Sequence, residues 1–209
     1  MKYEFGEVAI RKRNRLPHWD PEAGVQFSTF NLFDAIPAVA RQRIEQEEAT
    51  QLEVIQRTRK SATIADRIAV DAWKRRQLQG VLDQSNGCCL LRDPALATIV
   101  EDSIRYLDGR KYGLISWTVM PNHAHLVYSV RDSTIDDVMQ TLKGFTAHAI
   151  NKRLGRSGAL WQRDYFDRLL RTSDELERVV RYVLRNASTA GLEGWPHQGV
   201  VPENLAAAL

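Results

Sequence analysis

Residues 112–130, YGLISWTVM-PN-HAHLVYSV, decide the fold. Two runs rich in β-branched and aromatic residues flank Pro121-Asn122. A short break of turn-forming residues between such runs predicts two antiparallel strands joined by a tight turn. Upstream, Asp108-Gly109 is a second turn signal, and Asp93-Pro94 opens a helix to about Leu107, with proline at a favourable early position. Residues 24–33, GVQFSTFNLF, read as an earlier strand. Downstream, a helix is predicted from about Thr134 to Leu154. Ile135, Val138, Met139, Leu142, Phe145, Ala149 and Ile150 form its apolar stripe, and Gly155 stops it. A basic loop, Arg156-Ser157-Gly158, leads to a further strand within residues 160–170. Thr172 and Glu175 have capping-box spacing and start a helix reaching Asn186.

The resulting order is strand, helix, strand, strand, helix, strand, then a last helix. That order predicts an α+β chain with a ferredoxin-like antiparallel sheet and helices on one face. Residues 34–84 interrupt it. Their Ala, Gln, Glu and Arg content, with apolar residues at helical intervals, predicts two inserted helices forming an arm outside the core. The domain division is then a loosely structured basic arm at 1–23, the main domain at 24–192, and an irregular tail at 193–209.

No run approaches the roughly 20 apolar residues of a membrane span. The start, MKYEFGEVAIRKRNR, lacks the apolar core of a secretion signal. The expected address is cytoplasmic, at the nucleoid if DNA is the partner. The adjacent Cys88 and Cys89 are poorly placed for an ordinary disulfide and suit a reducing compartment, as strand or packing residues. Net charge is only +3, but it is uneven: residues 143–185 hold ten Lys/Arg against five Asp/Glu. A second basic cluster is Arg11, Lys12, Arg13 and Arg15. Clustered cations of this kind suit phosphate contacts, and a solvated face with scattered ion pairs is the competing reading.

Two sets of residues carry chemistry. In a strand, His123 and His125 project on the same side, about 7 Å apart or less, where two imidazoles can share a divalent ion that needs a further ligand. On the last helix Leu176, Val179, Val180 and Val183 form the buried stripe. Tyr182 and Asn186, four residues apart, stack at its rim with Arg178, Arg181 and Arg185 around them. That face joins a potential nucleophile to an amide oxygen able to bind metal. A phenol of pKa about 10 attacks poorly at neutral pH, and a metal that offsets charge on a phosphate remedies this. The product would be a covalent phosphotyrosine. No protease-type triad and no Walker glycine loop is visible, so acyl transfer and ATP chemistry are not suggested.

At this point the chain resembles a known family. Val119-Met120-Pro121-Asn122-His123-Ala124-His125 is similar to the MPNHxH signature of the REP-associated tyrosine transposases, relatives of small insertion-sequence enzymes that move as single strands. The likeness continues through Leu142-Lys143-Gly144-Phe145-Thr146, Ile150-Asn151, residues 158–168 (GALWQRDYFDR) with Arg171, and Arg181-Tyr182-Val183-Leu184-Arg185-Asn186 with Ala190-Gly191-Leu192. The Leu16-Pro17-His18-Trp19 run and residues 27–37 also fit. The resemblance implies an HUH-type catalytic core that cuts and rejoins single-stranded DNA near REP-like hairpins with Mg²⁺ or Mn²⁺. It implies His123, His125 and Asn186 as metal ligands and Tyr182 as nucleophile. Two departures stand out. Ala187 occupies the family's usual proline position, and the ending lacks the family's tryptophan-serine-rich tail.

Tyr165, in the 158–168 block, is the alternative nucleophile, although its i+4 neighbour is Leu169, which binds no metal. Trp161 and Phe166 suit either base stacking or core packing. Lys143, Arg163, Arg168, Arg178, Arg181 and Arg185 are the candidate DNA contacts. Two other functions stay open: a catalytically silent hairpin-DNA-binding protein, and a metal-dependent phosphodiesterase in which water attacks. Monomer and homodimer are equally compatible with the sequence.

Overall fold

The structure is a computed structural model and describes residues 9–13, 16–20, 24–59, 63–130 and 133–209, with only the backbone for 9–13, 16–20 and 59. Within the N-terminal segment, β1 (Ala9–Arg13) and β2 (Leu16–Asp20) pair antiparallel as a separate ribbon. This corrects the loosely structured arm expected there. The ladder is held by backbone groups, and its basic side chains give no apolar alternation to read. The rest of that arm lies outside the described residues.

The main sheet runs β6 (Phe166–Leu170), β3 (Val25–Asn31), β5 (His123–Val130), β4 (Tyr112–Val119), β7 (Gln198–Val200), and every pairing is antiparallel. Without β7, the central strands β3 and β5 are flanked by β6 and β4, which is the ferredoxin-like arrangement expected from the element order. The turn between β4 and β5 is closed by Met120 N donating to His123 O at 2.7 Å.

Alternation along β5 sorts the core. Ala124, Leu126 and Tyr128 pack toward α3 (Pro94–Tyr106) and α4 (Ile135–Arg153). Val127, with the two histidines, faces the other way, toward α5 (Ser173–Thr189). The one-face arrangement therefore holds for α3 and α4, while α5 lies across the opposite face with α6 (Pro202–Ala208). In α4 the expected stripe needs one correction. Phe145 is 62% exposed, and buried Thr146 takes the centre of the face, accepting from Trp161 Nε1 at 2.9 Å. Phe145 sits at the stripe's edge, where a rotation of about 100° per residue carries it off the core.

The inserted segment forms α1 (Ala38–Arg59) and α2 (Ile64–Asp83), but not as an arm clear of the core. Ile44, Val81 and Leu82 are buried in the main cluster. The side-chain amide of Asn122, in the β4–β5 turn, donates to Leu82 O at 3.2 Å and Asn86 O at 3.1 Å, which fastens the end of α2 beside the histidines. Cys88 and Cys89 are in neither strand nor core. They lie in the loop before a 3-10 turn at Leu90–Arg92, and Cys88 is exposed. Among the described residues no helix is long and apolar enough to cross a membrane.

The tail is the other correction: it adds β7 and α6 rather than running irregular. Three strand residues are too few to show a period, and the strand is recognisable only through its partner. Gly199 sits opposite Trp117, and a Cβ there would lie 2.6 Å from the indole ring. That indole is held by Glu101, which accepts from its Nε1 at 3.2 Å, and by Arg105 over its face. Gly199→Ala should therefore cost about 1–3 kcal/mol, read as a lowered thermal midpoint. An unchanged midpoint would show that the indole moves freely.

Candidate functional site

β5 is a central strand, so its inward side chains are buried on both flanks, and His123 and His125 are both inaccessible to solvent. Their Nε2 atoms face each other at 3.0 Å. The surrounding bonds fix which nitrogens carry protons. Asn122 spends its amide nitrogen on two carbonyls, so its Oδ1 must accept from His123 Nδ1, at 2.7 Å. That leaves the His123 Nε2 lone pair free. On the other ring, Thr29 Oγ1 lies 2.8 Å from His125 Nδ1 and can accept from it in the same way. Two lone pairs then point into one space. Bonds of about 2.1 Å at right angles would set two donors about 3.0 Å apart, the spacing an octahedral divalent ion requires.

Burial also decides charge. It pushes His123 down to about 3 and His125 well below the ordinary imidazole range, the second helped by its neighbour. Both rings are neutral at pH 7, the form that binds metal. The linkage sign follows. The unfolded histidines take up protons below about pH 6.5 while the folded ones do not, so stability falls as pH drops through that value. The metal-free protein should lose up to about 1.4 kcal/mol per pH unit per histidine below it. Urea midpoints at pH 7 and pH 5 measure this, and His123→Gln should reduce the difference.

α5 begins at Thr172, whose hydroxyl accepts from Glu175 N at 3.2 Å. Only half of the expected capping box forms, because Glu175 turns instead to Arg171 N and the Arg168 guanidinium. The helix buries Leu176, Val180 and Val183 against the histidine face of the sheet. This brings the Tyr182 hydroxyl to 3.3 Å from His125 Nε2. One turn on, Asn186 Nδ2 donates to the Tyr182 oxygen at 3.0 Å, while its Oδ1 is buried without a hydrogen-bond partner. Ala187, where the resembling family has proline, continues the helix to Thr189 and leaves Asn186 stacked under Tyr182. Burial, then the charge of Asp83, pushes the Tyr182 phenol above its usual range, and the Asn186 bond opposes the shift.

Four residues with a stake in this site were not assigned there from sequence. Asp83, at the end of α2, places a carboxylate oxygen and the two imidazole nitrogens all within 4.8 Å of one another. Gln79, one turn earlier, donates to Asp83 at 2.6 Å and lies 3.4 Å from His125 Nε2. Nothing in the spacing ties these inserted-helix residues to the histidine strand. Asn122 and Thr29 were in view only as a turn residue and a strand residue. Two neutral imidazoles and a carboxylate form a nitrogen and oxygen donor set that fits a divalent cation.

The remaining candidates lie apart from this centre. Tyr165 is buried, and its hydroxyl donates to Asp136 of α4 at 2.7 Å. Burial and that carboxylate push its phenol up, as burial and Asp83 do for Tyr182, so what sets Tyr165 apart is its bond to Asp136 rather than to the histidines. Lys143 Nζ donates to Arg163 O at 2.7 Å and lies over the Tyr165 ring, and burial lowers it to about 8. Arg163, Arg178, Arg181 and Arg185 are exposed, with Glu177 3.9 Å from Arg181. Arg168 is lowered first by burial and then by Arg75, Arg178 and Arg171, so these four guanidiniums lie near one another, with Glu175 on Arg168 and Asp71 and Asp167 beside Arg75.

Residues 93–186, a span holding both histidines, Tyr182 and Asn186, match the family described as "Transposase IS200 like". Among solved structures the chain is similar to a REP-associated tyrosine transposase bound to a REP hairpin, with a TM-score of 0.53 and 13% identity over 90% of this chain and 82% of that one. A looser likeness is to a putative transposase from Deinococcus radiodurans, with a TM-score of 0.36 and 14% identity over 84% of this chain and 98% of that one. No curated protein matches the chain.

Proposed function

We propose that the protein is an HUH single-tyrosine transposase that cleaves and rejoins single-stranded DNA beside hairpins through a phosphotyrosine intermediate. The observation that carries this reading is the convergence of the Tyr182 hydroxyl from α5, two lone-pair-bearing imidazoles from β5 and the Asp83 carboxylate from α2. His123, His125, Asn186 and Asp83 would hold Mg²⁺ or Mn²⁺. Such an ion supplies charge neutralisation at the phosphate oxygens. The Tyr182 oxygen forms a bond to phosphorus, the bond from phosphorus to a deoxyribose oxygen breaks, and that oxygen leaves as a hydroxyl carrying the phenol's proton equivalent. Asn186 orients the attacking oxygen. Arg168 and Arg178, with Arg75 and Arg171, would grip the backbone, and Lys143, Arg163, Arg181 and Arg185 extend the contact surface. The hairpin partner is suggested by the DNA bound to the similar solved structure.

A labelled hairpin oligonucleotide with a single-stranded flank, incubated with the protein and Mn²⁺, tests the reading. A covalent protein–DNA adduct is the expected result. Cut DNA without adduct would point to water as attacker, and a gel shift without cutting to a silent binder.

A further inference from the structure

A cleft of about 420 Å³ lies between the inserted helices and the β3–β6 edge, within the range of about 300–1,000 Å³ typical of small-ligand sites. Its apolar walls include Ile36, Ile44, Leu78 and Leu82 on one side and Trp161 and Phe166 on the other. The Phe166 ring is half-buried, and the Arg75 guanidinium lies 5.5 Å from its centre. Charge inside the cleft is balanced: Arg41, Lys74, Arg75 and Arg163 are matched by Glu45, Asp71, Asp164 and Asp167. A phosphate would require a net positive lining. A neutral ring with apolar faces and polar edges fits instead, and a nucleobase is such a ring. The cleft adjoins the metal centre directly. Thr29 and Gln79 both line it, and they contact His125 at 2.8 Å and 3.4 Å.

Resting on the strand-cleavage reading above, we infer that this cleft takes one unpaired nucleobase of the DNA strand, next to the scissile phosphate. The phosphates on either side would run past Arg168, Arg171 and Arg178, which lie outside the cleft lining. A base entering here has left its stack and its partner, so the inserted helices make the protein selective for single-stranded flanks over duplex.

The test walks an abasic site through the single-stranded flank of the hairpin oligonucleotide, using the full chain with Mn²⁺. One position, or two adjacent ones, should lower affinity about tenfold or more, as loss of a stacked base does. 2-Aminopurine at that position should change its emission on binding, and this readout needs no variant. Leu78→Trp, which fills the cleft, should bind the intact oligonucleotide as weakly as the abasic one and erase the position dependence. A flat abasic profile, or full discrimination retained by folded Leu78→Trp, overturns the inference. If the adduct at Tyr182 still forms while the profile is flat, only the cleft assignment falls. If no adduct forms with any oligonucleotide, the strand-cleavage reading fails and the inference with it.

Discussion

Tyr182→Phe is expected to abolish the covalent protein–DNA adduct while leaving hairpin binding and the folded state almost unchanged. The substitution removes one atom. The ring keeps its edge contacts with Phe27, whose centroid is 6.1 Å away, and with His125 at 5.4 Å. What is lost is the oxygen that accepts from Asn186 and meets His125 Nε2. The alternative phenol is engaged elsewhere. Tyr165 is bound to Asp136 of α4 instead of to the histidines. Loss of a sole nucleophile costs several orders of magnitude in rate. Adduct formation on a denaturing gel should fall below detection. A persisting adduct of full yield would assign the attack elsewhere, with Tyr165→Phe as the immediate comparison.

The sequence carried the centre of the fold because the signals there were local and mutually consistent. The Pro121-Asn122 break fixed the β4–β5 hairpin, and strand parity placed His123 and His125 on one face without any knowledge of the rest. Helical spacing did the same for Tyr182 and Asn186. What escaped was non-local. Asp83 and Gln79 reach the histidines only because Asn122 bonds the end of α2, a contact between positions about forty residues apart in the chain. The tail was illegible for a related reason, since Gly199 means little until Trp117 is seen opposite it. Polar residues misled where they were buried: Thr146 looked like a gap in the α4 stripe and is its centre, satisfied by Leu142 O and the Trp161 indole. Periodicity reads apolar faces well and has no way to register a hydroxyl whose partners lie elsewhere.

Mn²⁺ binding should be lost when a histidine is removed and weakened when its neighbours are changed, each for what the residue contributes. His123→Ala removes a proposed ligand whose lone pair is already aimed, and it leaves His125 facing an empty side, so binding should be lost. Asp83→Asn keeps the shape but removes the carboxylate charge nearest the imidazole nitrogens, which should weaken binding roughly tenfold or more. Asn122→Ala touches no metal, yet it frees the His123 ring to rotate or change tautomer, and loss of such outer contacts costs about 10–100-fold in metal affinity. The same variant also unties α2 from the hairpin, because Leu82 O and Asn86 O lose their donor. Asn122→Asp separates the two effects: its carboxylate can still accept from His123 Nδ1 but cannot donate to the α2 carbonyls. If orientation of His123 is what matters, Asn122→Asp should hold Mn²⁺ nearly as well as the natural residue. If anchoring of α2 and Asp83 dominates, it should be as weak as Asn122→Ala. Titration of the free Mn²⁺ electron paramagnetic resonance signal reads all four variants, and an unchanged affinity in His123→Ala would remove the paired histidines from the metal site altogether.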